Sequence, residues 1–388
     1  MRILHLTSDW KWTGPAEPML RLGVGQRAKG HDVALACPVP PAPGSRSVAE
    51  EARALGLAPM LEVSNGRGVG VFSDRADIEA LSGSLRDRSI DVVHTWHTRD
   101  HVIAVRAAAR LGRDRPAVVR SYRSAERISR APWSRWLFGA RTDGLLCVSP
   151  ETARWNAGLR GGRPIRGAFG AVDLDRFRPD APAADARVRS ETRAALGLRG
   201  GDAVVGIVAR AQPHRRFDLL IDAAARLLAR RPEARLLVVG RGTRREALAE
   251  RPARELGIAD RVIFAGYRNT DYAAVLHAMD LFTFLVPGSD GTCRALLEAA
   301  ASGIPAVVTR RGALPEIVVD GETGVLVDEQ PDALAEAWDA VLGDADRRRR
   351  MGAAARARAT RCFGAACFAD AVEALYVDAL DAAHRRRA

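Results

Sequence analysis

Short apolar runs alternate with helical patterns twice along the chain, and this alternation constrains the fold more than any other feature. The first set of apolar runs falls at residues 3–6, 33–36, 92–93, 118–119 and 145–148. The pattern resumes past residue 200, with apolar runs at 204–208, 236–239, 262–264, 281–286, 306–308 and 325–327. Strands that alternate with helices build βαβ units and parallel sheets. The sequence therefore predicts two doubly wound α/β domains.

Composition places the boundaries between these two domains. Residues 1–172 are predicted to form the N-terminal domain and residues 199–360 the C-terminal domain. Residues 173–198 between them are predicted to be a linker, since they begin with a stretch rich in Pro, Asp, Arg and Ala. Residues 361–388 carry an apolar stripe with a helical period, at Phe368, Val372, Leu375, Tyr376 and Leu380. This last helix needs a surface to pack on.

The length and the composition of the chain suit two domains of ordinary size, each with its own hydrophobic core. The chain has 388 residues, and 27% of them are charged. No stretch approaches the about 18 apolar residues of a membrane span, and the N-terminus leads directly into a strand pattern, so we expect a cytoplasmic protein. The five cysteines show no C-x-x-C spacing, which favours reduced and mostly buried thiols. No metal site is predicted.

The net charge of +12 does not by itself indicate a nucleic-acid partner. Lys11 and Lys29 are the only lysines among 59 basic residues, so the excess is almost entirely arginine. Arginine runs at residues 347–350 and 385–387 most often indicate a solvated helix face, although such runs also suit peripheral contact with an anionic membrane surface. No nucleic-acid-binding motif is present, so no nucleic-acid partner is expected.

Residues 287–305, PGSDGTCRALLEAAASGIP, are the stretch most indicative of a site. They follow an apolar run, open as a loop, and continue as a helix predicted to start near Thr292. Glu298 is the one polar residue in an otherwise apolar turn, so its carboxylate needs a polar partner or a ligand. Asp290 lies in the loop at the end of the strand, where parallel sheets bind ligands, and a helix start offers free N–H groups to an anion. A ligand with hydroxyls at both ends and phosphate in the middle suits this arrangement.

The same stretch resembles the acidic, seven residues, acidic signature of the retaining glycosyltransferases of family 4. The phrase PEIV at residues 315–318, followed by DGETG at 320–324 and an apolar strand, is similar to the closing phrase of that family almost letter for letter. The resemblance implies a GT-B fold, in which two Rossmann-like domains face each other across a cleft and the C-terminal helix crosses back to the first domain. It implies an acceptor-side first domain, a nucleotide-sugar-binding second domain, and transfer without a metal or other cofactor.

By this resemblance the second domain holds the donor. Glu298 would bind the ribose, Asp290 the hydroxyls of the sugar, and the backbone of Gly291, Thr292, Cys293 and Arg294 the sugar and phosphate. Arg210 and Arg215, in a loop that leads to a helix, are well placed to clamp a diphosphate. The remaining donor candidates are Gly14, Gly240, Gly242, Gly266 and Tyr267. The chain departs from the family pattern at Asp290, which replaces Glu, at Arg215, which replaces Lys, and at Arg216, which replaces Gly.

Three histidines lie within residues 94–101, just after a predicted strand. The family places a His of this loop against the donor sugar at the reaction centre, and His97 or His94 fits that role. We favour His97, because His94 directly follows Val93 within the strand and burial there is expected. Trp10, Trp12 and Trp96 are expected to expose indoles that suit stacking on sugar rings. Arg99 and Arg123 complete the acceptor candidates together with Trp10 and Trp12.

The resemblance thus implies transfer of a hexose-type sugar from a nucleoside diphosphate donor to a hydroxyl of a glycan or lipid-linked acceptor, with retention at the anomeric carbon. Cell-envelope polysaccharide or lipopolysaccharide synthesis is the expected setting, on the cytoplasmic side and in peripheral contact with the inner membrane face. Two alternatives remain open. One is a non-catalytic glycosyltransferase-like binding subunit, and the other is a nucleotide-sugar epimerase built on the same double-Rossmann plan.

Overall fold

The computed structural model describes residues 1–12, 16–41, 46–64, 71–124, 126–180, 182–287 and 292–385. These residues divide into two compact units. The first unit comprises residues 1–171 and 365–385 together with Thr292, and the second comprises residues 172–287 and 293–364. Each unit is an α/β domain with its own sheet.

The first domain contains seven strands among its described residues. The strands are β1 (Arg2–Leu6), β2 (Asp32–Cys37), β3 (Pro59–Glu62), β4 (Val92–Thr95), β5 (Ala117–Tyr122), β6 (Gly144–Cys147) and β7 (Ile165–Gly167). The helices are α1 (Ala16–Ala28), α2 (Val48–Ala54), α3 (Val71–Asp87), α4 (Thr98–Ala109), α5 (Pro132–Ser134) and α6 (Pro150–Ala157), with a 3-10 turn at Gly112–Asp114 and a π-helical segment at Arg135–Arg141.

All strand pairs of the first sheet are parallel, and their order is β3-β2-β1-β4-β5-β6-β7. The chain starts in the middle at β1, fills one side with β2 and β3, and then crosses to β4 and fills the other side. The loops after β1 and β4 therefore diverge, which leaves a crevice at the carboxyl ends of these two strands. In a doubly wound sheet this crevice is the usual position of a ligand.

The second domain repeats this plan. Its strands are β8 (Ala203–Val208), β9 (Ala234–Val239), β10 (Val262–Gly266), β11 (Leu281–Phe284), β12 (Ala306–Thr309) and β13 (Gly324–Val327). Its helices are α7 (Ala186–Ala195), α8 (Phe217–Arg230), α9 (Arg251–Glu255), α10 (Tyr272–His277), α11 (Arg294–Ala301), α12 (Leu314–Ile317), α13 (Pro331–Gly343) and α14 (Ala345–Cys362). Short 3-10 turns lie at Pro182–Ala184, Pro213–Arg215 and Ala259–Arg261, and a π-helical segment lies at Glu246–Glu250.

The second sheet is also parallel, in the order β10-β9-β8-β11-β12-β13. Its switch point lies between β8 and β11, because the chain fills one side of the sheet from β8 outwards and then crosses to β11 and fills the other side. The inner faces of α8 and α13 cover the sheet, and Trp338 is fully buried with its indole N–H donating to Thr283 Oγ1 at 3.3 Å. The carboxyl ends of β8 and β11 are thereby fixed by the core beneath them.

The last helix, α15 (Ala365–Arg385), packs on the first domain. Its stripe of Phe368, Val372, Leu375 and Tyr376 is buried in the same core as α1 and strands of the first sheet. Lys29 forms ion pairs with Asp370 and Glu373, and Arg166 pairs with Asp378 at 2.7 Å. The fold class predicted from the sequence is confirmed: two Rossmann-like domains, with the last helix on the first of them.

Some predicted elements differ from the observed ones. The predicted linker 173–198 contains the helix α7, which contacts α10 and groups with the second domain, since its arginines and alanines form helices as readily as loops. The helix predicted to start near Thr292 starts at Arg294 instead. Its N-cap residue Cys293 has φ 47°, which no helical residue adopts.

The described residues contain neither a helix suited to span a membrane nor a cluster suited to hold a metal ion. No helix there combines the length and the apolar character needed to cross a membrane. No group of three or more His, Cys, Asp or Glu side chains there could hold a metal ion. The five cysteines are free, and Cys37, Cys147 and Cys293 are buried.

Candidate active site

The switch point of the second domain carries the arginines that were predicted to clamp a diphosphate. The loop after β8 leads through the turn Pro213–Arg215 to α8. Arg215 is half-buried and its Nη1 donates to the carbonyl oxygen of Val286, past the end of β11, at 3.1 Å. This bond joins the loops of the two strands that flank the switch point. Arg210, five residues earlier, is exposed.

Arg216 ends the same turn in a left-handed conformation, with φ 56° and ψ 44°. It stands where the resembling family has glycine, and the left-handed conformation explains that preference. Its guanidinium forms ion pairs with Glu329 at 2.5 Å and Asp218 at 3.1 Å. The sequence marked this position as a departure, and the structure shows that a non-glycine residue occupies a glycine conformation there.

Two glycine loops meet at the neighbouring strand ends. Gly240 N donates to the carbonyl oxygen of Gly266 at 2.8 Å. A Cβ on Gly240 would lie 2.2 Å from the oxygen of Ala209, and one on Gly242 would lie 2.6 Å from the oxygen of Ala211. These glycines are therefore required by close backbone packing against the loop after β8. Their presence alone does not indicate a ligand.

Tyr267 follows Gly266 and is the most exposed large hydrophobic side chain among the described residues, at 59%. The guanidinium carbon of Arg241 lies 4.2 Å from the centroid of its ring. A flat ring and a planar cation thus stack at the carboxyl edge of β9 and β10. A nucleobase fits such a surface, because either partner can stack on its face.

Glu298 lies in α11 and is 5% exposed. Arg294 Nε donates to its Oε1 at 2.9 Å, and the hydroxyl of Tyr272 donates to its Oε2 at 2.8 Å. Burial and the nearby charge of Glu298 raise the pKa of Tyr272 well above its ordinary value, so the phenol stays protonated and donates. The edge of the Tyr272 ring contacts Phe177, with centroids 5.8 Å apart. The carboxylate is thus held in place by donors from two side chains.

The remaining donor-side predictions divide into two groups. Thr292 and Cys293 are buried, and Cys293 is the left-handed residue from which α11 starts. Asp290, Gly291 and Gly14 lie outside the described residues. The N–H groups of the first turn of α11 follow directly after Cys293, as an anion site at a helix start requires.

His97 lies at the switch point of the first domain, just past β4. Its Nδ1 lies 3.2 Å from the hydroxyl of Thr7, past β1, and 3.3 Å from Asp100 Oδ2. A carboxylate can only accept, so Nδ1 carries a proton, and in this tautomer Nε2 can accept a hydrogen bond from a ligand. Burial would raise the pKa of Asp100, but hydrogen bonds from His97 and Ser8 and the nearby charge of Arg120 outweigh burial and lower it. Asp100 therefore stays ionised and orients His97.

His94 is fully buried, as expected from its place in the strand. Its Nδ1 is 2.7 Å from the hydroxyl of Tyr376 and its Nε2 is 2.8 Å from Ser121 Oγ, so both nitrogens are used within the protein. Burial lowers the pKa of His94 well below 6.5. Trp96, predicted to expose its indole, is only 2% exposed, because it stacks on His94 with ring centroids 4.7 Å apart. The prediction of Trp96 as a sugar-stacking residue was wrong.

The four residues predicted to contact the acceptor differ in their burial and in their partners. Arg99 is 1% exposed and forms ion pairs with Asp74 at 2.8 Å and Asp77 at 2.6 Å, so it joins α3 to α4 and does not contact acceptor. Arg123, just past β5, is half-buried. Trp10 and Trp12 are half-buried past β1, and each carries a cation over its ring: Lys11 over Trp10 and Arg46 over Trp12.

Sequence reasoning missed three residues that shape these sites. Tyr272 supports Glu298, Asp100 orients His97, and Arg241 stacks on Tyr267. Only Asp100 gave a usable signal, as an acidic residue three positions after His97 at a helix start, which is a capping-box spacing. Tyr272 and Glu298 are 26 residues apart and meet only once the sheet has formed.

Comparison with solved structures defines the class of protein. A UDP-bound protein from Anabaena, HepE, superposes with a TM-score of 0.75 at 18% identity, and the match covers 96% of this chain and 99% of that chain. At this identity the likeness establishes the fold, and the fold is GT-B.

Family comparison then assigns the chain within that class. Residues 14–176 match the family model described as Glycosyltransferase Family 4, and residues 188–358 match the one described as Glycosyl transferases group 1. The chain belongs to glycosyltransferase family 4.

Curated relatives from actinobacteria share more than a third of the aligned residues. A D-inositol 3-phosphate glycosyltransferase from Nocardia farcinica is 37% identical over 296 residues, which are 72% of this chain and 60% of that protein. A GDP-mannose-dependent phosphatidylinositol monomannoside mannosyltransferase from Mycolicibacterium smegmatis is 39% identical over 193 residues, which are 48% of this chain and 49% of that protein. The chain thus spans half to three fifths of the length of these relatives.

Proposed function

We propose that this protein is a retaining glycosyltransferase that moves a hexose-type sugar from a nucleoside diphosphate donor to a hydroxyl of a glycan or lipid-linked acceptor. The observation that carries the proposal is the clustering of predicted donor residues at one switch point. The Arg215 loop is bonded to the end of β11, and α11, which starts beyond that strand, holds Glu298 on Arg294 and Tyr272. Named relatives that use an inositol phosphate or GDP-mannose support the same class of reaction.

The donor half of the mechanism follows from charge. As the glycosidic bond to the diphosphate breaks, negative charge develops on the leaving oxygen. Arg210 and Arg215 would neutralise it, and the N-terminus of α11 would add its dipole. Charge-assisted hydrogen bonds contribute about 1.5–3 kcal/mol each, so two arginines could lower the barrier by several kcal/mol.

The two ends of the donor need different partners. Glu298 would accept from the ribose hydroxyls, while the Arg241–Tyr267 pair would receive the base. Asp290, on sequence alone, would bind the hydroxyls of the sugar. It is one methylene shorter than the usual Glu, by about 1.5 Å, so the donor sugar or the path of the loop should differ from the common case.

His97 is proposed to steady the transferred sugar. Its free Nε2 can accept a hydrogen bond from a sugar hydroxyl, while Asp100 stabilises positive charge on the ring if it becomes protonated. Departure of the diphosphate and attack by the acceptor on one face of the sugar would retain the anomeric configuration without a carboxylate nucleophile. We propose that no metal or other cofactor takes part in these steps.

The acceptor is proposed to be part of a cell-envelope polysaccharide or lipopolysaccharide made at the cytoplasmic face of the membrane. Arg123, Trp10 and Trp12 are the first-domain side chains that could contact it. The acceptors in the relatives' names, an inositol phosphate and a phosphatidylinositol mannoside, both carry phosphate. This favours an acceptor with at least one negative charge.

The first test is a binding panel with the purified chain. UDP, GDP and ADP and their common sugar conjugates are added singly, with and without magnesium, and the melting temperature is followed. One responding diphosphate at about a hundredfold excess over its Kd should stabilise the chain by about 2.7 kcal/mol. No response from any nucleotide would contradict the proposal.

Product analysis with the responding donor then separates the alternatives. Transfer yields free nucleoside diphosphate and a glycosylated acceptor. An epimerase would change the sugar and leave the nucleotide conjugate intact, and a non-catalytic subunit would bind the donor and do neither. Retention follows from the anomeric configuration of the product, measured by NMR.

A further inference from the structure

An arginine-rich, tryptophan-bearing surface lies on the first domain, in the segment that follows strand β5 and Arg123. It consists of Arg127, Arg130, Trp133, Arg135, Trp136 and Arg141, and we call it the Trp133 surface. Trp133 is 50% exposed and is the only tryptophan among the exposed large hydrophobic residues of the described chain. It is the second residue of the short helix α5, after the exposed Ala131 and Pro132. The tip of this segment is thus apolar.

Four exposed arginines lie in the same segment as this tip. Arg130 and Arg135 flank it in the chain and have no carboxylate partner among the described residues. Arg141 lies over the ring of Trp136 at 5.7 Å, and Arg127 lies over Trp155 at 5.9 Å. Residues 126–141 contain these four arginines and a single acidic residue, Glu126. The surface is therefore cationic and largely uncompensated within the protein.

The arrangement of the indoles argues against a sugar-stacking role here. Trp133 and Trp136 stack on each other with ring centroids 4.9 Å apart and an angle of 27° between their planes. Arg141 lies against Trp136 as well. A sugar needs an open indole face, and each of these indoles has one face taken by the other. Indoles next to cations suit the boundary between lipid headgroups and acyl chains.

We propose that the Trp133 surface docks the protein on an anionic phospholipid membrane. Arg130 and Arg135 would contact lipid phosphates while Trp133 inserts at the level of the glycerol backbone. This places membrane contact on the first domain and not on the arginine run 347–350 of α14. In that run Arg348 donates to the carbonyls of Val341 and Leu342, and Arg349 pairs with Asp346.

Vesicle sedimentation of the full chain tests the proposal. Vesicles of equal parts phosphatidylcholine and phosphatidylglycerol should bind the protein, and vesicles of phosphatidylcholine alone should bind it weakly. Arg130→Gln with Arg135→Gln should lower the partition coefficient about 30-fold, since each basic residue near an anionic surface contributes about fivefold. The matched control is Arg349→Gln with Arg350→Gln, which removes the same charge from exposed residues of α14 and should leave partitioning nearly unchanged.

The apolar contribution has its own pair of variants. Trp133→Ala should weaken partitioning about tenfold, because the variant lacks the roughly 60 Å² of indole surface that the wild-type protein would transfer from water into the membrane. Leu256→Ala removes a side chain of similar exposure, 47%, from the second domain and should have no effect. With lipids brominated on the acyl chain, wild-type tryptophan fluorescence should be quenched on docking. Trp133→Phe should remove most of that quenching while the protein still binds.

Several outcomes would overturn the proposal. Equal losses for the test and control arginine pairs would mean that attraction comes from diffuse net charge. Unchanged quenching in Trp133→Phe would place another tryptophan at the membrane. Binding to a soluble anionic polysaccharide but not to vesicles would make the surface a glycan site. Nucleotide binding should be the same in all these variants, so a failure here is distinguishable from a failure of the proposed transfer.

Discussion

Replacing Glu298 by Gln tests whether the buried carboxylate of α11 serves the ligand or the fold. Glutamine has the same shape, and its oxygen can still accept from Arg294. Its amide can donate to the oxygen of Tyr272, whose hydroxyl then turns away. Both contacts therefore persist, the one from Arg294 still with a charged donor, and only the negative charge of the acceptor is lost.

The expected cost in stability is small. The Arg294 side chain is 35% exposed, so solvent screens its pairing with Glu298. Loss of the charge at this pair and at the Tyr272 bond should cost about 1 kcal/mol in the free energy of unfolding. For a domain of this size that corresponds to about 2–4 °C in the melting temperature.

The expected cost in ligand binding is larger. A ribose hydroxyl that donates to a carboxylate forms a charge-assisted bond worth about 1.5–3 kcal/mol. The amide of Gln cannot accept at one of the two positions, and its oxygen accepts without charge. The Kd for the nucleoside diphosphate should therefore rise about tenfold to 150-fold.

Isothermal titration with the responding diphosphate measures this change, and thermal melts of the free protein measure stability. The matched control is Tyr272→Phe, which removes one donor to Glu298 and keeps the carboxylate. It should destabilise the free protein by about 1–3 kcal/mol and change the Kd less than Glu298→Gln does. If Glu298→Gln lowers the melting temperature strongly and leaves the Kd unchanged, Glu298 is structural and the assignment is refuted.

Three further predictions address the neighbouring residues. Arg215→Lys should weaken diphosphate binding less than Arg215→Gln, because Lys keeps the charge but not the planar fork that reaches Val286; equal Kd values for both variants would argue against a charge role. Arg216→Gly should stabilise the free chain by up to about 1 kcal/mol, because the relief of strain at φ 56° exceeds the loss of the partly exposed ion pairs with Glu329 and Asp218. Arg216→Ala loses the same ion pairs and keeps the strain; urea titrations compare the two. Burial lowers the pKa of His5 to about 4, whereas the same side chain in the unfolded chain has a pKa near 6.5. Between these two pH values the unfolded chain therefore binds a proton at His5 and the native chain does not. Stability is full above the higher of these two values and should fall by about 2 kcal/mol for this residue between pH 7 and 5, and His5→Gln should flatten that part of the profile.

The fold was predictable because its strands are buried on both faces. Runs such as residues 204–208 and 306–308 are continuously apolar, which is the signature of a strand covered by helices on both sides. The two strands that were missed, β3 and β7, lie at the edges of the first sheet and are only partly buried. β7 has a single apolar side chain, Ile165, and the apolar run of β3 includes Pro59, which is unusual within a strand. These two strands were not predicted because the sequence does not reveal which strands lie at the edge of a sheet.

The side-chain environments were less predictable because their partners lie far away in the chain. Arg99 follows a strand and a histidine, as an acceptor residue could, but it pairs with Asp74 and Asp77, more than 20 residues earlier. Trp96 is in a loop by sequence, and Tyr376 from the last helix completes the buried cluster on which it packs. The local sequence pattern predicted which strand ends carry polar side chains. It did not predict which of these side chains are exposed to solvent.

The left-handed residues of the second domain explain how its switch point could bind a diphosphate. Arg216 precedes α8 and Cys293 precedes α11, and both adopt positive φ without being glycine. Each costs about 1–2 kcal/mol relative to an unstrained residue, and such conformations persist where the surroundings fix them. They fix the starts of the two helices that follow the switch-point strands β8 and β11, so the free N–H groups of both first turns are held before a ligand arrives. Arg216→Gly should then raise stability and weaken diphosphate binding together, whereas a purely structural role for this residue would raise stability and leave binding unchanged.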